Sequence, residues 1–169
     1  MKCIAHRGAR AAAIGVVAVA LIALPAHGQA TTADKADHLF LHEMADLNKG
    51  VALLAHGAMH RPGTSPSKTQ AGAVDKRHDD EMDHITAALK MIADSYVPRA
   101  SRADSTTAAD LTKQGGAAYD AAFRTDVRQI DQRAIKTIDL YMPQLTNATI
   151  KTLAQRLRAS ADEEAKGFE

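Results

Sequence analysis

Apolar residues recur at steps of three and four along the chain after about residue 35, which is the spacing of one face of an α-helix. The first stripe consists of Phe40, Met44, Leu47, Val51, Leu54 and Ala58. The second includes a histidine and consists of Val74, His78, Met82, Ile85, Leu89, Ile92 and Tyr96. The third contains Tyr119, Phe123, Val127, Ile130, Ala134 and Ile138, and the fourth contains Ile150, Leu153, Ala154 and Leu157. Each stripe predicts an amphipathic helix that contributes one face to a shared core.

These stripes predict four helices, over about residues 35–60, 74–96, 117–141 and 147–166. Prolines end the first three, because proline cannot continue a helix and disfavours helical geometry at the residue before it. We expect a polar loop over residues 64–73 and a short extra turn near residues 107–113, with Asp104, Ser105 or Thr106 as its N-cap. Four amphipathic helices with short connections predict an all-α fold, an antiparallel four-helix bundle of ferritin-like type.

The first 30 residues have the order of a bacterial signal peptide: a positive start, an apolar run and small residues at a cleavage site. The apolar run covers residues 11–24. We expect cleavage after Ala30, with Ala26 as the alternative, and a single helical domain over residues 31–169 in the periplasm or outside the cell. A retained membrane anchor is the competing interpretation, but about 14 apolar residues fall short of the roughly 20 that span a bilayer.

Composition limits the partners of this domain. Without the predicted signal peptide the chain has 18 basic and 20 acidic residues, a net charge of −2 with neutral histidine. This balance argues against nucleic acid as a partner and against a strong electrostatic hold on anionic membranes. Cys3 lies in the signal peptide, so the mature chain has no cysteine for a disulfide or a thiolate metal site. Aromatic residues are only 4% of the chain, which suits helices better than strands.

Two segments, residues 37–55 and 119–138, share a helical pattern. In the first segment the residues that carry the pattern are Phe40, Met44, Gly50 and Ala55. In the second they are Tyr119, Asp120, Phe123, Val127, Ala134 and Ile135. The pattern resembles the two halves of the domain-of-unknown-function 305 family, small exported bacterial proteins with a ferritin-like four-helix fold. Some members of that family are thought to bind copper, but its paired histidines are replaced here by Leu47-Asn48 and Ile130-Asp131, so that site does not transfer. A related exported helical family, domain of unknown function 4142, is the alternative resemblance.

Histidine and methionine are concentrated in the N-terminal half of the mature chain, which holds all six of its histidines and four of its five methionines. Imidazole and thioether groups together suit copper, and imidazole alone also suits zinc. The candidate metal ligands are therefore His38, His42, His56, His60, His78, Met82 and His84.

Spacing divides four of these histidines into two pairs, because His38 and His42 are four residues apart, as are His56 and His60. Residues at this spacing share a helix face, so each pair has the geometry to chelate one ion. The pairs are about 27 Å apart along the helix, which makes them two separate sites. Their stripe faces away from Phe40, so we expect it to face solvent. A polar helix face that happens to use histidine is the competing interpretation for each pair.

His78 differs because it lies on an apolar stripe, where a histidine needs hydrogen-bond partners. Glu43 or Asp126 are the expected partners, and a metal-ligand role is the alternative. The acidic runs 79–81 and 162–164 are expected to be solvated helix faces.

The chain shows no complete catalytic motif. A di-iron site needs Glu-x-x-His on two helices and two further carboxylates, whereas this chain has one copy, Glu81 with His84, and few carboxylates predicted to point inward. We therefore predict no enzyme activity. The leading hypothesis is an exported bundle that binds copper or zinc ions through histidine and methionine. The alternative is a structural or protein-interaction module of the cell envelope, acting as a homo-oligomer or with another envelope protein.

Overall fold

The computed structural model describes residues 32–61 and 66–168, and this part of the chain is all-helical, with no strands. The helices are α1 (Thr32–Met59), α2 (Pro66–Met91), α3 (Arg102–Leu111), α4 (Gly116–Tyr141) and α5 (Ala148–Gly167). The predicted signal peptide and its cleavage site lie outside the described residues. Within residues 32–61 and 66–168, no helix combines the length and the hydropathy needed to cross a bilayer.

The four long helices form an antiparallel bundle, which confirms the predicted fold class. The start of α1 lies beside the end of α4, where the rings of Phe40 and Tyr141 are 6.1 Å apart. Helix α2 runs antiparallel to α5, because Arg77 donates to the Ser160 carbonyl, whereas His84, later in α2, accepts from Arg156, earlier in α5. The segment from 92 to 115, which contains α3, carries the chain back along the bundle, so the bundle has the single long crossover of ferritin-like folds.

The predicted stripes form the core. All six predicted residues of α4 and all four of α5 are buried, as are Phe40, Met44, Val51, Leu54 and Ala58 of α1. The apolar residues separate into two clusters: the first includes Phe40, Ile85, Ile138 and Ile150, and the second includes Leu54, Val74, Phe123 and Val127. Between these clusters lies a set of polar side chains, hereafter the polar layer, made of Asn48, His78, Glu81, Asp131 and Glu164.

Helix α2 differs from the prediction at both ends. It begins at Pro66, inside the segment predicted as a loop. Proline suits the first turn of a helix, because the N–H that it lacks would have no helical partner there. Buried Ala71 extends the contact of this helix with the second apolar cluster. The helix ends at Met91 and not at Tyr96, because the backbone reverses at Ala93.

Helix α3 is longer than the single turn that the sequence predicted and begins earlier. Its N-cap is Ser101, whose hydroxyl oxygen accepts a 3.0 Å hydrogen bond from the Asp104 backbone N–H, so the three predicted caps are wrong. The Asp104 carboxylate is buried, forms an ion pair with Arg133 of α4 and lies against Gly50 of α1. A Cβ atom at position 50 would lie 2.9 Å from Asp104 Oδ2, so the close approach of α3 to α1 requires glycine there.

Candidate functional site

A tight turn after α2 places Asp94 beside α1. The Asp94 N–H donates to the Leu89 carbonyl at 2.9 Å and the Ala93 N–H donates to the Lys90 carbonyl at 3.1 Å, which is the hydrogen-bond pattern of a Schellman motif. Ala93 occupies the left-handed position of this motif with φ of 56°, where glycine is the usual residue. A side chain in this conformation costs about 1–2 kcal/mol, so the turn at Asp94 is held against local strain.

Asp94 bridges the first histidine pair. His38 Nδ1 and His42 Nε2 both donate to Asp94 Oδ2, at 2.5 Å and 2.6 Å. Together they offer two imidazole nitrogens and a carboxylate oxygen within 4.8 Å of one another. The side chains of His38 and His42 are 36% and 28% exposed and that of Asp94 is 13% exposed, so the group is reachable from solvent.

The residues after Asp94 fix the orientation of the histidines. The Tyr96 ring stacks on the His42 ring at a centroid distance of 3.9 Å, and its hydroxyl donates to Asp46 Oδ2 at 2.7 Å. Asp46 Oδ1 accepts a second hydrogen bond from the Arg99 backbone N–H at 2.7 Å. The segment from 94 to 99 is thus fastened along the histidine face of α1 at three points.

Electrostatics keep the carboxylate of Asp94 ionised. Burial alone would raise its pKa, but the hydrogen bonds from His38 and His42, together with that from the Tyr96 N–H, lower the pKa below its usual value. An ionised carboxylate beside two imidazoles is the form that binds a metal ion.

The prediction that His38 and His42 face solvent is therefore only partly confirmed. Both are half-buried beneath the segment that follows α2, and both bond a carboxylate that the sequence analysis missed. The spacing of His38 and His42 was a visible signal, whereas Asp94 lies 52 residues farther along the chain from His42 and on no helical stripe.

The second histidine pair is exposed as predicted, but no third ligand lies beside it among the described residues. His56 and His60 are exposed, with ring centroids 4.1 Å apart. In the described part of the chain, no carboxylate or further histidine completes a group of three with them. The other two candidates also stand apart: exposed His84 accepts a 3.1 Å hydrogen bond from Arg156, and Met82 packs against the first apolar cluster.

His78 is buried, as an apolar stripe requires, but its predicted partners Glu43 and Asp126 are wrong. Its Nδ1 bonds Asn48 Oδ1, and its Nε2 bonds Glu164 Oε2 at 2.7 Å. The prediction that residues 162–164 form a solvated face fails for Glu164, which is 5% exposed. Glu164 follows Leu157 by seven residues and Ala161 by three, so the helical spacing held the signal.

Asp131 adds a further acid to this layer, and the expectation of few inward carboxylates is therefore wrong. It is 1% exposed, and its Oδ2 has no hydrogen-bond partner among the described residues. Burial raises the pKa of its carboxyl group to about 8, with the negative charges of Glu164 and Glu81 adding to the effect and Arg77 opposing it. His78, Asp131 and Glu164 offer one ligand atom each within 4.8 Å of one another.

Leu47-Asn48 and Ile130-Asp131, which stand where the family that the sequence resembles has histidine pairs, all line one small cavity beside His78. Glu81 also lines this cavity, while its motif partner His84 is exposed on the outer face, so the two do not act together as a di-iron motif. Comparison of the chain with family models, curated proteins and solved structures gives no match, and the resemblance to the domain-of-unknown-function families stays a prediction.

Proposed function

We propose that this protein binds a zinc or copper(II) ion at His38, His42 and Asp94. The observation that carries the proposal is the convergence of three ligand atoms from α1 and the turn after α2 within 4.8 Å. Two imidazoles and one carboxylate are a zinc ligand set when the fourth position is left to water or another ligand. The same nitrogen and oxygen donors suit copper(II), whereas no thioether lies in the group to favour copper(I).

Exposure of the group indicates what kind of binding it supports. An ion at this position keeps contact with solvent, because both histidine side chains are more than a quarter exposed. An open site exchanges its ion readily and suits a buffer or carrier of metal ions. In the periplasm or outside the cell, where we expect the chain, such a protein would limit the free concentration of the ion.

The contacts around the group support binding over a purely structural role. The Tyr96 ring and the Asp46 carboxylate hold the neighbouring backbone in place without help from His38. Outer contacts that orient ligands are typical of metal sites, since a fixed ligand geometry lowers the entropic cost of binding. The alternative role is structural: the group would hold residues 94–99 against α1. In that case the metal affinity would be no higher than that of any exposed histidine pair.

Titration of the purified protein, stripped with EDTA, with Zn²⁺ and Cu²⁺ tests this proposal. Isothermal titration calorimetry should show a submicromolar binding step that is lost in the double variant H38Q/H42Q and weakened in Asp94→Asn. The matched control is H56Q/H60Q, because that pair has the same spacing but no carboxylate. Unchanged affinity in H38Q/H42Q, or equal losses in the two double variants, would overturn the proposal and leave the fastening role.

A further inference from the structure

We propose that the polar layer is a second, enclosed metal site in which His78, Asp131 and Glu164 bind one divalent ion of the Mn²⁺ or Fe²⁺ class. This site is separate from the group on α1 and does not depend on the function proposed for it. Its ligands come from α2, α4 and α5, whose antiparallel packing brings one ligand atom of each within 4.8 Å of the others. The three residues are 6%, 1% and 5% exposed.

Asp131 gives the strongest indication that the layer holds a ligand. Its Oδ2 is buried without a hydrogen-bond partner among the described residues, although buried polar atoms are almost always satisfied. An unsatisfied buried oxygen costs about 1–3 kcal/mol, and a carboxylate costs more. A cation among His78, Asp131 and Glu164 would satisfy this oxygen directly.

The surroundings of His78 match those of a metal-binding histidine. Its Nδ1 side faces Asn48 Oδ1, while the Asn48 amide donates to the His78 backbone carbonyl at 2.7 Å, which fixes the amide orientation. Histidines that bind metals commonly donate their other ring N–H to an oxygen in this way. Nε2 is then the ligand atom, and an ion there would displace the hydrogen that it shares with Glu164 Oε2.

Charge in the layer favours a divalent cation. Three carboxyl groups face His78, those of Glu81, Asp131 and Glu164, with Glu81 Oε2 at 3.4 Å from His78 Nδ1. Arg77 is a cationic side chain near these carboxyl groups, and its guanidinium lies 3.8 Å from Glu164 Oε1. Attraction between opposite charges is strong away from water. An ion of charge +2 would therefore neutralise the negative charge that Arg77 does not.

The layer has space for an ion and adjoins a surface groove. A cavity of about 20 Å³ lies beside Asn48, His78, Glu81 and Asp131, which is room for one water-sized occupant. A groove of about 450 Å³ runs along the outer side of α2 and α5, and Glu81 and Leu157 line both the groove and the cavity. These two side chains therefore lie between the inner site and the solvent-filled groove.

The donor set indicates the kind of ion. One imidazole and two or three carboxylates make oxygen the majority donor, and oxygen donors suit Mn²⁺ and other hard divalent ions, while imidazole extends the range to iron and zinc. The accessible group on α1 has the opposite balance, with two nitrogens and one oxygen. The two sites should therefore differ in their preference for Mn²⁺.

Mn²⁺ is the probe for the test, because the electron paramagnetic resonance signal of the free ion is lost on binding. The starting protein is the EDTA-stripped H38Q/H42Q variant, which lacks the accessible site. We expect it to bind one Mn²⁺ per chain. Asp131→Asn or Glu164→Gln in this background should weaken the affinity at least about tenfold, because loss of a ligand costs no less than loss of an outer contact that orients one. Glu163→Gln is the matched control, because Glu163 is the exposed neighbour of Glu164.

Two results would overturn the proposal: no bound Mn²⁺ in the H38Q/H42Q protein, or the same affinity in Asp131→Asn as in Glu163→Gln. Circular dichroism of each variant establishes that it folds, and the two ligand variants supply independent readings should one of them unfold. Loss of Mn²⁺ binding with intact Zn²⁺ binding in the Asp131→Asn variant of the otherwise unchanged chain would separate the inner site from the accessible one.

Discussion

His78 Nε2 lies 2.7 Å from Glu164 Oε2 in the interior of the bundle, although 86 residues separate the two in the chain. The pair links α2 to α5, and each side chain is less than a tenth exposed. Loss of Glu164 leaves the buried Nε2 of His78 without this hydrogen-bond partner, and an unsatisfied buried polar atom is among the larger costs that a single substitution imposes.

Glu164→Ala should therefore destabilise the metal-free protein by about 3 kcal/mol, the upper part of the range for leaving a buried polar group without its hydrogen-bond partner. Urea denaturation in the presence of EDTA measures the change in the free energy of unfolding. Glu163→Ala, on the exposed neighbour, should change it by no more than about 0.5 kcal/mol. Similar losses in both variants would show that Glu164 is not paired in the interior.

Asp131 should make the metal-free protein less stable as the pH rises. Its pKa of about 8 in the folded state exceeds the value of about 3.9 in an unfolded chain. Between those two values the unfolded state binds fewer protons than the folded state, so the free energy of unfolding falls as the pH rises from about 4 to about 8 and levels off above that.

Asp131→Asn should remove this dependence and raise the melting temperature near pH 7.5 in EDTA. Thermal denaturation of both proteins from pH 5 to pH 8 measures the effect, with Glu163→Gln as the control. Parallel curves for Asp131→Asn and the unaltered protein would contradict the raised pKa. A substitution that stabilises while abolishing binding is typical of functional sites.

Ala93→Gly should stabilise the protein by about 1 kcal/mol, because glycine adopts the left-handed conformation of Ala93 without steric cost. The matched control is Ala87→Gly, at an exposed position inside α2, which should destabilise by about 1 kcal/mol. Chemical denaturation of the two variants compares them. If both substitutions were destabilising, the backbone at Ala93 would not have the positive φ described.

Gly50→Ala should destabilise the protein by about 1–3 kcal/mol, although alanine is the better helix former, because its Cβ would press on buried Asp104. Gly57 offers a direct comparison in the same helix, since a Cβ there meets nothing within 4 Å. Gly57→Ala should stabilise by up to about 1 kcal/mol. A gain of stability in both variants would mean that α3 does not pack closely on α1.

The helix faces were predictable from the sequence because burial of one side of a helix is recorded in its apolar spacing. Phe123, Val127 and Ile138 are buried as their spacing requires. The same spacing places Asp131, four residues after Val127, and Glu164 on buried faces, although the sequence analysis expects few inward carboxylates.

Only part of the group formed by His38, His42 and Asp94 was predictable from the sequence. The spacing of His38 and His42 marks them as neighbours on one helix face, whereas Asp94 reaches them only through the reversal at Ala93. Nothing in the local sequence marks that reversal, because the left-handed residue is alanine where glycine is usual. A contact between segments so far apart depends on how the helices pack, which spacing along one helix does not record.

The polar layer also limits how the four helices align along the bundle axis. Apolar side chains alone would allow one helix to shift along another, because each lost apolar contact is replaced by a similar one. A shift of α5 by a single turn, about 5.4 Å, would separate Glu164 from His78 and strand both among aliphatic neighbours. The buried polar side chains thus fix the register of the helices, which apolar contacts alone would not specify. Single buried polar residues have the same effect in coiled coils.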